Sequence, residues 1–519
     1  MTFTAINTLP QKRKDTVIVK TYVPGGKFAI IDEKGNDVDY TIIKSRDLTD
    51  YVLSQTIMLD PSRKFYVPDQ EVTMAIKAND VPALGYVQYS IDTQKDSHKE
   101  TADKKVLENK YYTIEVEENG SLTIVDKANN VTYKNQGILV ENGDDGDSFN
   151  YSPPRKDMEV FSNESKCTVK ISGSDIYDQA EIHFDMVVPA DLDERAEGKV
   201  SVTMLVDMTV ALRKDSKVID FNVKVDNKGL SHRLCVLFDS QIVSAFNYAD
   251  QQFGLIKRPN YYEKEMKLYM ESMNNKTEKK AGIQELANWA NDQSTWQEPP
   301  ISIEPTQSYV SLTDGKTGIA VIPQGVREYE VLDDSKIRLT LFRTYGFMGK
   351  ENLIYRPGRA SGERIIETPA AQLLKEMEFN FGFTSYAGDI NDSDIDTLAK
   401  QYNTNLEVYT YAEFLNGRLI FSQREIEGQN AKIHSLFETE GNLVVSAVKK
   451  AEEDDGYIIR LYNGKDHKDL DDKIKFNFDI KEAYYTNLKE EKTEEIKVEN
   501  NTISVKELSH CKFVTIWVK

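Results

Sequence analysis

One segment of the chain concentrates side chains that could bind a ligand. Residues 141–154 read ENGDDGDSFNYSPP. The glycines allow positive φ and the two prolines fix the exit, so the sequence predicts a structured loop that presents aspartates and two aromatic rings. Carboxylates accept hydrogen bonds from sugar hydroxyls, and aromatic rings cover the apolar face of a pyranose. A sugar site, a calcium loop and a plain acidic turn all fit these residue types, and the three remain open at this point.

A second segment carries arginines. Residues 339–346 read LTLFRTYG and residues 355–361 read YRPGRAS. Taken alone, arginines in such a context are typical of surface salt bridges, so their pattern does not assign a ligand.

Metal-binding spacing is weak throughout. His183 and Asp185 are two residues apart on a predicted strand and so share a face. A functional zinc site needs further ligands, and the neighbouring sequence supplies none. An exposed polar strand face is therefore the favoured interpretation. The three cysteines lie far apart and their number is odd, which predicts neither a disulfide framework nor a cysteine-based zinc site.

Composition bounds the class of protein. The 519 residues carry a formal net charge of −20, and such a chain repels phosphate backbones and anionic lipids. We therefore expect no nucleic-acid partner and no membrane association. No stretch approaches the roughly 18 apolar residues of a membrane span, and the N-terminus lacks the features of a signal peptide. A soluble, cytoplasmic protein is expected.

The elements that must position these residues are mainly strands. Apolar residues alternate with polar ones over 200–213 and 219–226, which predicts a hairpin, and Asn-Gly at 119–120 predicts a second one. Helical signal is limited to 393–402 and part of 260–291. The pattern predicts a mainly β, multi-domain chain of antiparallel sandwiches, with breaks near 103 and 388.

Five groups of residues, in order along the chain, resemble bacterial glycoside hydrolase family 38 α-mannosidases. The loop from Gly143 to Pro154 is similar to the family's Gly-Asp-x-Gly-Asp stretch that ends in Tyr-Ser-Pro-Pro. The other groups are Asn227 with His232-Arg233-Leu234; Phe253-Gly254, Arg258-Pro259 and Trp296-x-Glu298-Pro299; Leu341-x-Arg343, Arg356-Pro357-Gly358-Arg359-Ala360-Ser361 and Gln372; and Ser446-Ala447-Val448-Lys449 with Arg460-Leu461-Tyr462-Asn463. Each motif is modest alone, and their common order is what makes the resemblance specific.

The resemblance implies a fold and an activity. It implies a small N-terminal β-sandwich over 1–103, a large mutarotase-like super-sandwich over 104–388 and a C-terminal sandwich over 389–519. It also implies the C-terminal part of a retaining, zinc-dependent α-mannosidase that acts on terminal α-mannosides. The family's catalytic α/β barrel and helical bundle carry the zinc ligands and the catalytic carboxylates. None of their motifs occurs in this sequence, so no catalytic or metal-binding residue is expected here and this chain alone is expected to be inactive.

By position, the resemblance assigns substrate contacts to the loop and to one arginine. The candidates are Asp144, Asp147, Phe149 and Tyr151, with Arg356 or Arg359. Many family members have tyrosine where this chain has Phe149, so a hydroxyl that would bond the sugar is absent. Expected partners are the barrel, the helical bundle and a mannoside, and a homodimer is left open.

Two other functions fit the composition. A stand-alone carbohydrate-binding β-sandwich protein would use the same loop without a barrel, and a barrel encoded next to this sequence would distinguish the two. An unrelated scaffold or adhesin is disfavoured by the ordered motifs.

Overall fold

The computed structural model describes residues 2–23, 25–50, 70–276, 298–357, 365–411 and 433–519. Strands make up 53% of it and helices 8%, which confirms the mainly β class. No helix in these ranges is long and apolar enough to cross a membrane.

Strands follow one another along the whole described chain. The first seven are β1 (Thr2–Asn7), β2 (Arg13–Val23), β3 (Ala29–Ile31), β4 (Asp37–Val38), β5 (Tyr40–Asp47), β6 (Gln70–Val81) and β7 (Gly85–Asp92). The next group is β8 (Ala102–Asp103), β9 (Leu107–Glu108), β10 (Tyr112–Val116), β11 (Leu122–Asp126), β12 (Val131–Gln136), β13 (Ile138–Gly143), β14 (Val160–Phe161), β15 (Lys166–Gly173), β16 (Tyr177–Val188), β17 (Val202–Arg213), β18 (Ile219–Asp226), β19 (His232–Asp239), β20 (Phe246–Gln251), β21 (Gly254–Pro259), β22 (Glu304–Pro305), β23 (Val310–Thr313), β24 (Thr317–Gln324), β25 (Glu328–Leu332), β26 (Lys336–Arg343), β27 (Phe347–Met348), β28 (Ile366–Glu367) and β29 (Glu376–Ala387). The last ten are β30 (Glu407–Tyr411), β31 (Ile433–Ser435), β32 (Phe437–Thr439), β33 (Val444–Lys450), β34 (Tyr457–Tyr462), β35 (Leu470–Phe476), β36 (Ala483–Thr486), β37 (Lys492–Ile496), β38 (Thr502–Leu508) and β39 (Phe513–Val518). The α-helices of the described ranges are α1 (Leu192–Glu197), α2 (Glu263–Lys276) and α3 (Ile395–Asn403).

The N-terminal sandwich is completed by strands from much later in the chain. One sheet has the order β30-β1-β7-β3-β4, with β31 also pairing to β7, and the other has the order β2-β6-β5. Phe3, Val19, Tyr40 and Met74 lie in the core between them. The chain therefore returns from the large sandwich to the first one before it enters the last.

The large sandwich holds the main hydrophobic core. A ten-stranded sheet, β21-β20-β23-β24-β29-β18-β17-β16-β15-β8, packs against a six-stranded sheet, β14-β13-β19-β26-β25-β22, and a four-stranded one, β12-β11-β10-β9. The C-terminal sandwich pairs a three-stranded sheet, β32-β35-β38, with a five-stranded sheet, β33-β34-β39-β36-β37.

Period-two alternation predicts the central hairpin correctly. β17 and β18 pair antiparallel, with Met208 opposite Val223 and both side chains in the core. The inward face begins at Met204, since Val202 is half-buried and Val200 is exposed, where the sequence predicts a face that starts at Val200. Successive residues of a strand point to opposite faces of the sheet. The polar residues of β17 and β18 therefore lie on the outer face of the ten-stranded sheet, where they stay hydrated.

The helix predicted over 393–402 is present as α3, but its start differs. Asp394 is the residue before the helix and its side chain makes no capping hydrogen bond. Ser393 donates to the carbonyl of Ile390 and accepts weakly from the amide of Ile395 at 3.4 Å. Asp396 binds Tyr309 and Lys465, so the Ser-x-x-Asp pattern does not form a reciprocal capping box. The partly helical segment predicted over 260–291 contains α2, and its remainder from 277 lies outside the described residues.

A largely buried carboxyl lies where α3 packs on the large sandwich. Asp250 in β20 accepts a hydrogen bond from Ser308, and Asp396 of α3 lies nearby, held by the hydroxyl of Tyr309 at 2.7 Å. Burial raises the pKa of Asp250 to about 6, and the negative charge of Asp396 adds to this. The folded chain thus binds a proton at Asp250 more tightly than the unfolded chain does.

Asp250→Asn is expected to stabilise the chain at pH 8 by about 1–2 kcal/mol and to leave its stability at pH 4 nearly unchanged. The raised pKa means that the contribution of Asp250 is favourable below the ordinary aspartate value and is lost as the pH rises to about 6. Denaturant melts at both pH values measure this. Asp455→Asn, at an exposed position, is the matched control. Equal effects of Asp250→Asn at pH 4 and pH 8 would contradict the expectation.

Candidate functional site

The loop predicted from sequence, residues 143–154, leaves the six-stranded sheet at the end of β13. All six residues of β13 are buried, because the strand lies between β14 and β19 and both its faces are covered. Gly143 pairs with His232 of β19, and the amide of Asp144 then donates to the carbonyl of Ser231 at 2.9 Å. The loop therefore begins at a fixed position on the end of the large sandwich.

Asp144 is buried and is bound by an arginine two strands away. The Arg343 guanidinium at the end of β26 donates to both oxygens of Asp144, at 2.6 and 3.1 Å. The same guanidinium donates to the backbone carbonyls of Asp147 and Asn150, each at 2.9 Å. One cation thus neutralises a buried carboxylate and fixes the curvature of the loop.

Asp147 is buried and is bound by a second arginine. Arg356 donates to both carboxylate oxygens, and the backbone amides of Lys350 (2.8 Å), Phe149 (2.9 Å) and Asn150 (3.1 Å) donate to them as well. Burial alone would raise the pKa of Asp147, but these hydrogen bonds outweigh it and hold the pKa below its ordinary value. Asp147 is therefore ionised, and both its carboxylate oxygens are bound by neighbouring residues of the protein.

The tight path of the loop requires glycine at 146. A Cβ atom there would lie 2.1 Å from the carbonyl oxygen of Asn150 and 2.8 Å from the guanidinium of Arg343. Any side chain would have to displace backbone. Gly146 does not adopt the positive φ that the sequence suggested, and glycine is required here because no side chain fits.

Tyr151 is also an internal residue. Its ring lies under the guanidinium of Arg233, 3.9 Å from the ring centroid, and its hydroxyl accepts a hydrogen bond from Asn142 at 3.0 Å. Arg233 itself is held by Asn142 and Glu330. Tyr151 thus fixes the return of the loop to the sandwich.

Phe149 is the candidate side chain that faces outward, with 59% of its surface exposed. The structure therefore brings Asp144, Asp147, Tyr151 and Arg356 together as a buried frame, and places Phe149 at the tip of the loop. Arg359 lies outside the described residues.

A buried cluster lies beneath the loop and includes Asn227 and His232, two residues of one resemblance motif whose contacts the sequence did not predict. Glu141 accepts hydrogen bonds from Arg195 of α1 and from Nδ1 of His232, the latter at 3.0 Å. Nε2 of His232 lies 2.9 Å from the side-chain oxygen of Asn227. The signal in the sequence was a glutamate and a histidine next to the apolar runs of β13 and β19, which favours buried, paired charges.

Exposed apolar side chains occur at the loop tip and on segments near the loop. Phe149, Met348, Ile354, Ile365, Ile366 and Leu374 are each at least 39% exposed. We call these six residues the apolar rim. They lie on segments that contact the loop or each other: Ser148 donates to the carbonyl of Phe347, and Met348 pairs with Ile366. Such a concentration of exposed apolar side chains is typical of an interaction surface.

The geometry does not fit the calcium interpretation of the loop. Both buried carboxylates already face guanidinium groups, which would repel a divalent cation. Among the described residues, no three His, Cys, Asp or Glu side chains are placed to hold a metal ion. His183 lies between Asp207 (2.7 Å) and Asp185 (3.3 Å) on the outer face of the ten-stranded sheet, and Lys166 binds Asp185 as well.

Two family models match the chain. Residues 107–347 match the glycosyl hydrolases family 38 C-terminal domain, and residues 442–515 match the glycosyl hydrolases family 38 C-terminal beta sandwich domain. A protein of Halalkalibacterium halodurans named "Putative mannosylglycerate hydrolase" is 23% identical over 469 residues, which are 86% of this chain and 46% of that protein.

Solved structures share the fold. An α-mannosidase from Enterococcus faecalis V583 aligns over 100% of this chain and 56% of its own, with a TM-score of 0.74 and 19% identity. A glycosyl hydrolase family 38 protein from Enterococcus faecalis gives the same TM-score and identity and is covered over 58% of its length. The chain spans about half the length of these proteins. The ordered motifs, the sandwich that carries the loop and the two family models identify this chain as a C-terminal region of glycoside hydrolase family 38.

Proposed function

We propose that this chain is the all-β C-terminal part of a retaining, zinc-dependent α-mannosidase that hydrolyses terminal α-mannosides. The 143–154 loop would complete the sugar pocket of a catalytic barrel that is not part of this chain. The observation that carries the proposal is the loop itself: two buried carboxylate–arginine pairs hold it rigidly at the end of the sandwich, and Phe149 projects from its tip.

The distribution of charge in the loop supports a division of roles. Asp144 is paired with Arg343, and Asp147 is paired with Arg356, so these side chains act as positioning residues that fix the loop. Phe149 remains available to a ligand, whereas the side chain of Asn150 is held by Arg356 and by Glu298 at 3.2 Å. An aromatic ring at this place would pack on the apolar face of the sugar.

The apolar rim supports a protein partner at the same end of the sandwich. Ordered apolar side chains around a candidate pocket lose contact with water when another domain covers them, and interfaces between domains typically bury roughly 600–1,500 Å². A barrel that packs here would bring its own carboxylates over the loop. In that arrangement a ligand would be held between the barrel and Phe149.

The chemistry would come from residues outside this chain. In a retaining glycosidase one carboxylate attacks the anomeric carbon while a second protonates the leaving oxygen, with about 5 Å between them. The described residues do not provide a zinc site, so the zinc of the proposed enzyme would be bound by the barrel, where it would act as a Lewis acid. The part played by this chain is to orient the sugar and to exclude water.

The chain alone is expected not to hydrolyse an aryl α-mannoside, with or without added zinc. Together with a family 38 catalytic barrel, the chain should give a complex with turnover on the order of 1 s⁻¹ or more. Size exclusion and release of the aryl group measure complex and activity. Full activity of the barrel without this chain would contradict the proposal, as would turnover by this chain alone.

Phe149→Ala is expected to lower kcat/KM of the complex about tenfold, because it removes the ring that would contact the sugar. The melting temperature of the chain should stay within about a degree, since the side chain is exposed. Phe246→Ala is the matched control, because Phe246 is 43% exposed on β20, outside the loop and the apolar rim. An unchanged kcat/KM for Phe149→Ala would remove Phe149 from the pocket.

Asp147→Ala is expected to destabilise the chain by about 3–5 kcal/mol, because it leaves Arg356 buried without its partner. The lowered pKa means that this stabilisation is present above the ordinary aspartate value of about 3.9 and is lost as the pH falls through the lowered folded-state value. Melts from pH 7 down to pH 2 measure both effects.

Asp145→Ala serves as the control for Asp147→Ala. Asp145 pairs with Lys350 while about a third exposed, so its loss should cost less than about 1 kcal/mol. If Asp147→Ala kept wild-type stability but lost kcat/KM in the complex, the carboxylate would be a direct substrate ligand instead of part of the frame.

A further inference from the structure

A cleft of about 610 Å³ separates the N-terminal sandwich from the outer face of the ten-stranded sheet. Its volume lies within the range of roughly 300–1,000 Å³ of small-molecule sites. β2 and β30 supply one side, and β16, β17, β18, β29 and the end of β24 supply the other. The cleft is separate from the proposed sugar pocket, since no residue of the 143–154 loop lines it.

The floor of the cleft is a row of neutral polar side chains. Thr209 lies opposite Asn222, Asn222 opposite Asn380, and Asn380 opposite Gln324, on four successive strands. Residues directly opposite each other in a sheet have Cβ atoms about 5 Å apart, so the row is continuous across the sheet. Tyr177 of β16 also lines the cleft.

These side chains have unused hydrogen-bonding capacity. The amide nitrogen of Asn222 donates to Glu378 (2.7 Å) and to the side-chain oxygen of Asn380 (2.8 Å). The oxygen of Asn222 and the nitrogen of Asn380 have no partner in the described part of the chain, and neither do the side-chain polar groups of Thr209 and Gln324 or the hydroxyl of Tyr177. The floor therefore offers both donors and acceptors to a ligand.

The cations that line the cleft are already paired. Arg213 is held by Asp220 at 3.0 and 3.1 Å and by Asp15 at 2.6 Å, and Lys20 lies 3.4 Å from Glu71. A ligand phosphate or carboxylate would find no free cation there and would meet the field of a chain with net charge −20. The lining thus favours a neutral ligand.

An apolar wall accompanies the polar floor. Ile18 of β2 is 48% exposed and Val408 of β30 is half-buried, and both line the cleft. A ligand that suits this lining carries many hydroxyls, each both donor and acceptor, and has apolar faces between them. A pyranose has these properties, and the length of the row suits several linked units better than one.

We propose that this cleft binds a neutral oligosaccharide. The cleft and the loop lie at opposite ends of β18. Asp220, near the start of β18, lines the cleft, and Asp226, at its end, is followed by Asn227 beneath the loop. Six residues of strand separate the two ends by about 20 Å. Binding in the cleft is thus independent of the proposed mannosidase function and of Phe149.

Calorimetric titration of the full chain tests the proposal, with α-mannotriose, maltotriose and chitotriose as neutral probes and a trigalacturonate as the charged comparison. At least one neutral trisaccharide should bind in the millimolar range or tighter, and trigalacturonate should not. Thr209→Trp should abolish binding by filling the floor. Thr203→Trp, on the same strand and the same outward face but outside the cleft, should leave it unchanged.

Alanine substitutions test the same site with a smaller risk of misfolding than Thr209→Trp. Asn380→Ala and Gln324→Ala should each weaken binding about 2- to 10-fold through the loss of hydrogen bonds. Melting temperatures show whether these variants fold. Binding to the Phe149→Ala variant shows whether the loop contributes. Failure of all three neutral probes to bind would overturn the proposal. It would equally be overturned by neutral binding that persists in Thr209→Trp and Asn380→Ala, or by tighter binding of trigalacturonate than of every neutral probe.

Discussion

The loop at the end of the large sandwich depends on two buried carboxylates that must each hold a cation. Asp144 and Asp147 have essentially no exposed side-chain surface, and a buried, unpaired carboxylate costs several kcal/mol. Arg343 arrives from the end of β26 and Arg356 from the segment after β27, so the two ion pairs join three separate parts of the chain. The loop can therefore adopt its path only when the surrounding strands are already assembled.

This constraint inverts the usual arrangement of a surface loop. The charged groups lie inside, and an aromatic ring with the apolar rim lies outside. For a chain with net charge −20, such an exterior is poorly explained by solubility. It is better explained by a second surface that covers it. The rigidity of the loop supports the proposed barrel partner, because a rigid loop presents a fixed surface to that partner. The frame makes Phe149 a fixed contact instead of a mobile one.

The sequence predicted strands far better than it predicted sheets. Alternation located β17 and β18, and a turn at Asn500 and Asn501, both at positive φ, joins β37 to β38. The strands that flank this turn, β37 and β38, nevertheless enter different sheets of the C-terminal sandwich. Periodicity reports which face of a strand is apolar, and it does not report which of two apolar layers the strand covers. The same limit concealed the return of β30 and β31 to the N-terminal sandwich.

The site shows the corresponding limit for polar residues. Glycine and aspartate spacing located the loop, because backbone conformation is encoded locally. The roles of its aspartates are set by partners as far as 209 residues away, as for Asp147 and Arg356, and a single sequence contains no record of such a pairing. Two arginines in one motif block were the available sign that two carboxylates would be neutralised internally. An aspartate-rich loop is therefore best interpreted together with the cations elsewhere in the chain, since those cations decide whether the carboxylates face a ligand or bind within the protein.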